Sequence, residues 1–193
     1  MARWEEGSRE RLVVAALDLF TEQGYDATTV AQIVERAGVT KSTFFRYFPD
    51  KRELLVAGQD ALSSLLAEGI AAAPAGATPL EAVAAGLESA ATMMGPTVRE
   101  RGLRMRAAVA ASTELQERDA LKSVGLSVAM TDALAARGFP DVVAHLAAEL
   151  GVLAFKRGYA AWLEADGAET DSGLAPYALT ALQELRAAGT ALG

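Results

Sequence analysis

Thr40, Lys41, Ser42, Thr43, Phe45, Arg46 and Tyr47 crowd hydroxyls, two cations and two aromatic rings into eight consecutive residues. Hydroxyls, a helix N-terminus and cations suit phosphate oxygens. Lys41 and Ser42 on a first helical turn can face base edges, and Phe45 can contact a thymine methyl. A second constellation, Asp141, His145 and Glu149, has helical spacing of four, so the three side chains stack on one side and could ligate a metal. One helix supplies only three ligands and no second element completes the set, so a solvated face is the stronger reading. Arg99, Arg101, Arg104 and Arg106 follow Gly95-Pro96 and could receive an anion. Their spacing spreads them around a helix, which favours solvation. Nucleophilic catalysis has little to build on: there is one histidine, no cysteine, no GxSxG and no glycine-rich phosphate loop. Neither a metal nor a cofactor is expected, and the chain reads as a non-enzyme.

The elements that must position these residues are helical, because apolar positions recur at helical spacing almost throughout and alternating β-branched segments are nearly absent. The expected fold is all-α. Leu12, Ala16, Leu19 and Phe20 mark a first helix that Gly24 stops. Thr29 with Gln32 reads as a capping box opening a second, with Val30, Ile33, Val34 and Ala37 on one face and Gly38 at its end. Thr40 caps a third, short helix running to Phe48, where Pro49 breaks the pattern. Asp50 with Glu53 offers a further capping box, opening a long fourth helix from Lys51 through Ile70. The stretch AAAPAGATP interrupts it. Beyond lie helices near 79–94, 97–111, 114–137, 140–165 and 174–188, punctuated by Gly95-Pro96, Gly138, Pro140 and DGAETDSG. Two short helices joined at a small residue, behind a longer supporting helix, are what a DNA-reading helix-turn-helix requires. Ile33, Val34, Val39, Phe44 and Phe48 supply the apolar side that locks the pair.

At 193 residues the chain suits a small module joined to a larger one: residues 1–50 for DNA binding, and 51–193 as a helical ligand-binding and dimerisation domain. A formal net charge of −7 looks wrong for a polyanionic partner. Yet from Arg36 to Arg52 the residues Arg36, Lys41, Arg46, Lys51 and Arg52 face a single acid, Asp50, so this window is +4. One basic stripe can dock while the acidic remainder restrains indiscriminate binding. The charged start, the lack of an apolar leader and of an unbroken apolar run of membrane length, and the absence of cysteine point to a cytoplasmic protein without a membrane partner.

The run TTVAQIVERAGVTKSTFFRYFPDKRELL closely resembles the N-terminal signature of the TetR family of bacterial regulators, the likeness spanning roughly residues 8 to 56. This resemblance implies a homodimer with a three-helix DNA-binding module and a larger helical domain holding a ligand pocket. By matching positions, phosphate contacts fall on Thr29, Thr43, Tyr47 and Lys51, and base-facing positions on Lys41, Ser42 and Phe45. Many members have tyrosine where this chain has Phe45 and histidine where it has Tyr47, so the operator preference differs in detail. FFRYFPDK, TELQERDALK and KRGYAAWLEADG look like an actinobacterial branch, some of whose members respond to acyl-CoA-like ligands.

The expected partners are a palindromic double-stranded DNA operator, a second copy of the chain, and an acyl-CoA-like or otherwise apolar effector. Release of the DNA by that effector would make the chain a repressor. Met93, Met94, Met105, Leu121 and Trp162 are candidates to line the pocket, although ordinary core packing accounts for the methionines equally well. Phe155, Tyr159 and Trp162 form an aromatic stripe better suited to a core or a dimer surface than to a ligand cage. The last two long helices carry more apolar positions than one face can hold. Val142, Leu146 and Leu153, with Tyr177, Leu182 and Leu185, are therefore candidates for a four-helix dimer interface. The competing functions are a metal-dependent or acid-base enzyme, a helical interaction module, and a DNA-binding protein with no ligand.

Overall fold

The computed structural model describes residues 2–165 and 173–192, with residues 2–6 as backbone alone. Its elements are α1 (Ala2–Gln23), α2 (Val30–Ala37), α3 (Lys41–Tyr47), a 3-10 turn (Lys51–Val56), α4 (Gln59–Ala72), α5 (Pro79–Ala91), α6 (Pro96–Ala110), α7 (Thr113–Ala136), α8 (Asp141–Glu164) and α9 (Ala175–Ala191). No strand occurs among the described residues, as the periodicity predicts. Most of the DGAETDSG segment, and the last two residues of KRGYAAWLEADG, lie outside the described residues.

Two compact units form. The first contains Met1–Ala57 and Glu100–Lys122, and the second Gly58–Arg99 and Ser123–Gly193. A division at residue 50 follows chain order, whereas packing returns the end of α6 and the start of α7 to the first unit. The physical reason lies in that unit's core. Leu12, Leu17, Ile33, Phe44 and Leu54 are almost wholly buried together with Leu115 from α7 and Ala108 from α6. Paired charges join the same elements: Arg101 to Glu10, Arg104 to Asp18, and Arg118 to both oxygens of Glu53 at 2.9 and 2.8 Å.

In the second unit α4 packs on α5 and α8 on α9 around Leu66, Ile70, Val83, Leu87, Met130, Leu134 and Trp162. Small residues let these helices approach backbone to backbone. A Cβ on Gly69 would stand 2.5 Å from the Ala85 carbonyl oxygen, and one on Gly158 would stand 2.5 Å from Cα of Ala178. Neither atom can move aside without moving its helix. Arg99 closes the far end of α8: its Nε donates to the Trp162 carbonyl at 3.0 Å and its Nη2 to those of Leu163, at 2.9 Å, and Ala165. A cation there also meets the negative end of the helix dipole.

The expected long fourth helix is two elements. The 3-10 turn ends at Val56, and Gly58 takes φ 94°, outside helical space, before α4 begins. Asp50 accepts from the backbone N–H of Arg52 and Glu53, but the Glu53 carboxylate is held by Arg118 and does not return to complete a capping box. Lys51–Ala72 has the length and mean hydropathy, 1.2, of a membrane-crossing helix, although no unbroken apolar run marks it. The break at Gly58 divides its apolar residues between two cores: Leu54 and Leu55 in the first unit, Leu62, Leu66 and Ile70 in the second.

Candidate nucleic-acid interface

Local chemistry shapes α2 and α3. The Thr29 hydroxyl accepts from the Gln32 N–H at 3.3 Å while the Gln32 side chain accepts from the Thr29 N–H at 2.9 Å, the reciprocal box the sequence predicts. Gly38 ends α2 at φ 65°, a left-handed conformation that favours glycine, and its N–H satisfies the Glu35 carbonyl. Two residues later Thr40 caps α3 by accepting from the Thr43 N–H at 3.1 Å. Arg11 of α1 donates to the Ala37 carbonyl at 3.2 Å, and Gln23 bridges the Ala27 carbonyl, the Thr28 hydroxyl and Gln32. α2 is thereby held to α1 at both of its ends.

On α3, Phe44 is fully buried and Phe48, just past its end, is 2% exposed, their rings 5.7 Å apart. Ile33 and Val34 are buried on the facing side and Val39 is half-buried. The opposite face presents Lys41, Ser42, Phe45 and Arg46. Phe45 is 54% exposed, an apolar ring held outward by an edge-on contact with Phe44 at 5.3 Å. A large apolar side chain exposed beside cations on a short helix gains nothing in the monomer. Arg46 stacks on the half-buried Tyr47 ring at 5.0 Å and donates to its hydroxyl at 3.2 Å. Thr43 is half-buried, its hydroxyl 3.0 Å from that of Thr40.

Lys51 sits differently from its expected place on a phosphate. Its ammonium donates to the Tyr25 and Thr28 carbonyls at 2.6 and 2.8 Å and lies 3.8 Å from the centre of the Tyr25 ring. Partial burial lowers its pKa. The side chain pins the turn between α1 and α2. Of the other cations in the +4 window, Arg36 pairs with Glu22 at 2.8 Å, and Arg52 with Asp50 at 2.7 Å and Glu114 at 3.4 Å. The Arg52 hydrogen bond is the chief cause of a lowered Asp50 pKa. Lys41 and Arg46 are the cations of the window that α3 exposes on its outward face. Sequence spacing alone could not find this, because Glu22 and Glu114 lie far from the window in the chain.

The other candidate sites disperse. Met105 packs against the first core and Leu121, 60% exposed, belongs to the same unit, whereas Met93, Met94 and Trp162 belong to the second. The five therefore do not line one cavity within either unit. Three of the four arginines read as anion partners are engaged by protein groups, Arg99 by carbonyls and Arg101 and Arg104 by carboxylates. Trp162 is 1% exposed, and its indole N–H has no hydrogen-bond partner among the described residues. Phe155 stacks on Tyr159 at 5.9 Å, and burial raises the Tyr159 hydroxyl pKa. An open groove of about 660 Å³ between α8 and α9 contains none of the pocket candidates. Asp141 and His145 are exposed, and Glu149 accepts from Ser127 at 2.6 Å. On α8, Val142, Leu146 and Leu153 are exposed, but on α9 Leu182 is buried in its own core, with Tyr177 and Leu185 packed against it.

A helix-turn-helix braced by a longer helix, with donors, cations and an apolar ring on its outward face, defines a DNA-binding domain of the bacterial regulator type. Residues 12–57 match the family model described as Bacterial regulatory proteins, tetR family, and this segment is that family's N-terminal domain. Curated relatives match part of the chain. The HTH-type transcriptional regulator TcmR of Streptomyces glaucescens is 40% identical over 76 residues, 39% of this chain and 34% of that protein. The HTH-type transcriptional regulator BetI of Rhizobium meliloti is 40% identical over 78 residues, 40% of this chain and 38% of that one. The chain thus matches little more than a third of these relatives' length. Beyond the match the fold persists. A crystal structure described as a putative TetR-family transcriptional regulator from Syntrophomonas wolfei covers 97% of this chain and 96% of its own, with TM-score 0.61 at 19% identity. Salmonella enterica GusR covers 92% and 93%, with TM-score 0.53 at 20% identity.

Proposed function

We propose that the chain is a transcriptional regulator and not an enzyme, binding a palindromic operator as a homodimer through α3. The observation that carries this reading is the outward face of α3, where Lys41, Ser42, Phe45 and Arg46 are exposed while Phe44 is buried to hold them there. Lys41 and Ser42 read base edges, Phe45 reads a thymine methyl, and Arg46, Tyr47, Thr29, Thr40 and Thr43 position the domain on the backbone. A dimer sets two such helices roughly 34 Å apart, one turn of DNA, so that they enter successive major grooves. Repression follows if a small molecule in the second unit favours a conformation that DNA disfavours, with a coupling of about 1–3 kcal/mol. Met93, Met94 and the Trp162 N–H, which has no partner among the described residues, support an apolar effector carrying one hydrogen-bond acceptor. With Arg99, Arg101 and Arg104 engaged elsewhere, an anionic end has less support than an apolar body.

Selection from a random duplex library tests the DNA assignment. The expected product is an inverted repeat with half-site centres about 10 base pairs apart. Lys41→Ala and Phe45→Ala, both at exposed positions, should each weaken the selected site roughly tenfold relative to random DNA. No enrichment over random sequence would overturn the reading.

A further inference from the structure

Most arginines of the first unit are spent inside the fold. Arg11 donates to the Ala37 carbonyl, and Arg36, Arg52, Arg101, Arg104 and Arg118 each meet a carboxylate. Arg9, on α1, differs. It is exposed, no carboxylate or carbonyl among the described residues holds it, and its guanidinium lies 5.6 Å from the centre of the Phe48 ring. Phe48 is 2% exposed and packs on Phe44 at 5.7 Å, so the ring that supports Arg9 is itself fixed in the core. Counting charge over residues 36–52 misses this cation, because it comes from the other side of α1 in the chain.

The ring contact places Arg9 at one end of α3. Phe48 directly follows that helix, its ring is 6.4 Å from that of Tyr47, and Arg46 lies over Tyr47 at 5.0 Å. Two exposed guanidinium groups, one from α1 and one from α3, therefore flank a pair of neighbouring rings at the C-terminal end of α3. A helix of this length is about 10 Å long and the major groove about 12 Å wide. When Lys41 and Ser42 meet base edges, the other end of α3 stands at the groove wall, where the sugar-phosphate backbone runs. Guanidinium suits that position. Resting one face on a ring leaves its N–H edge free to take a phosphate through two hydrogen bonds, and the stack reduces the freedom lost on binding. The neighbouring acid, Glu10, is already occupied by Arg101.

We propose that Arg9 is a DNA-backbone contact: α1 supplies a phosphate clamp beside Arg46, held in place by the Phe48 ring. The proposal rests on the DNA-binding reading above and adds to it a residue outside the helix-turn-helix. A backbone contact carries no sequence information, so its loss weakens operator and random duplex alike. Fluorescence anisotropy of the full chain on both duplexes, between about 50 and 200 mM salt, tests it, with a thermal melt of every variant. Arg9→Met keeps an unbranched stem over Phe48 and removes the charge. It should melt with the wild type, bind both duplexes about tenfold more weakly at the lower salt, and reduce the salt slope by about two units per dimer. Arg9→Gln, equally uncharged, should give the same slope. Arg9→Lys keeps the charge but not the planar fork, so it should retain the slope and recover only part of the affinity. Uncharged variants whose slope and affinity match the wild type overturn the proposal, and a lowered melting temperature in them would make Arg9 a cover for Phe48. A loss confined to the operator also overturns it, since a base contact would do that. A wild-type chain that binds neither duplex overturns the DNA-binding reading itself, and this contact with it.

Discussion

Lys51 shows how one side chain can change its role between sequence and structure. Read in its basic window it is a phosphate contact; in the structure its ammonium holds two carbonyls and an aromatic face of the α1–α2 turn. Charge-assisted hydrogen bonds and a cation over a ring together make this a stabilising anchor of about 1–3 kcal/mol. Lys51→Met should therefore lower thermal stability by that order. It should also weaken operator binding without changing how steeply binding falls with salt, since no counterion is released at this site. A phosphate contact would instead reduce the salt slope by about one unit per site. Measuring both quantities on the same variant separates the two roles.

At the scale of elements, helix ends were legible in the sequence because capping is local: Thr29 with Gln32, Thr40 with Thr43, and Gly38 all act within four residues of themselves. The helix pairings were not, because glycine inside a helix signals close approach only when its neighbour is known. Gly158 and Gly151 test this on one helix. A Cβ at Gly158 meets backbone atoms of Tyr177 and Ala178, whereas at Gly151 it meets the flexible end of Met130, at 2.3 Å, and Cγ1 of Val83. Gly158→Ala should destabilise by about 1–3 kcal/mol, because α9 must shift. Gly151→Ala should cost less, because Met130 can take another rotamer. Urea denaturation of the two variants compares them directly, and equal losses would contradict the backbone-contact account.

For the whole molecule, the electrostatic question is how a chain of net charge −7 holds a polyanion. Three cations per protomer on phosphate would imply roughly a thousandfold loss of affinity between 50 and 200 mM salt. With Arg36 and Arg52 paired to carboxylates and Lys51 turned to carbonyls, two cations per protomer remain on the outward face. With Lys41 reading base edges, Arg46 is the cation of the window that each protomer places on phosphate, and the expected loss falls to about tenfold over the same range, or about a hundredfold with Arg9 beside it. Fluorescence anisotropy with the selected duplex measures it. A slope near the roughly thousandfold value would mean that Arg36 or Arg52 exchanges its carboxylate for phosphate on binding.

Periodicity and caps were enough to determine the all-α class, most helix boundaries, and which side of α3 faces inward, since Phe44 and Phe48 recur at helical spacing and burial follows hydrophobicity. The local motif was also enough to place residues 12–57 in a known family. Only the tertiary structure decided which charges are available, because Glu22, Glu114 and the Tyr25 carbonyl reach the basic window through folding and not through sequence proximity. It likewise decided that α6 and α7 contribute to both units, that α9 turns Leu182 inward, and that the excess apolar surface belongs to α7 and α8. Each of these depends on which helix lies beside which, and a helical pattern records only that a face is apolar, not what covers it.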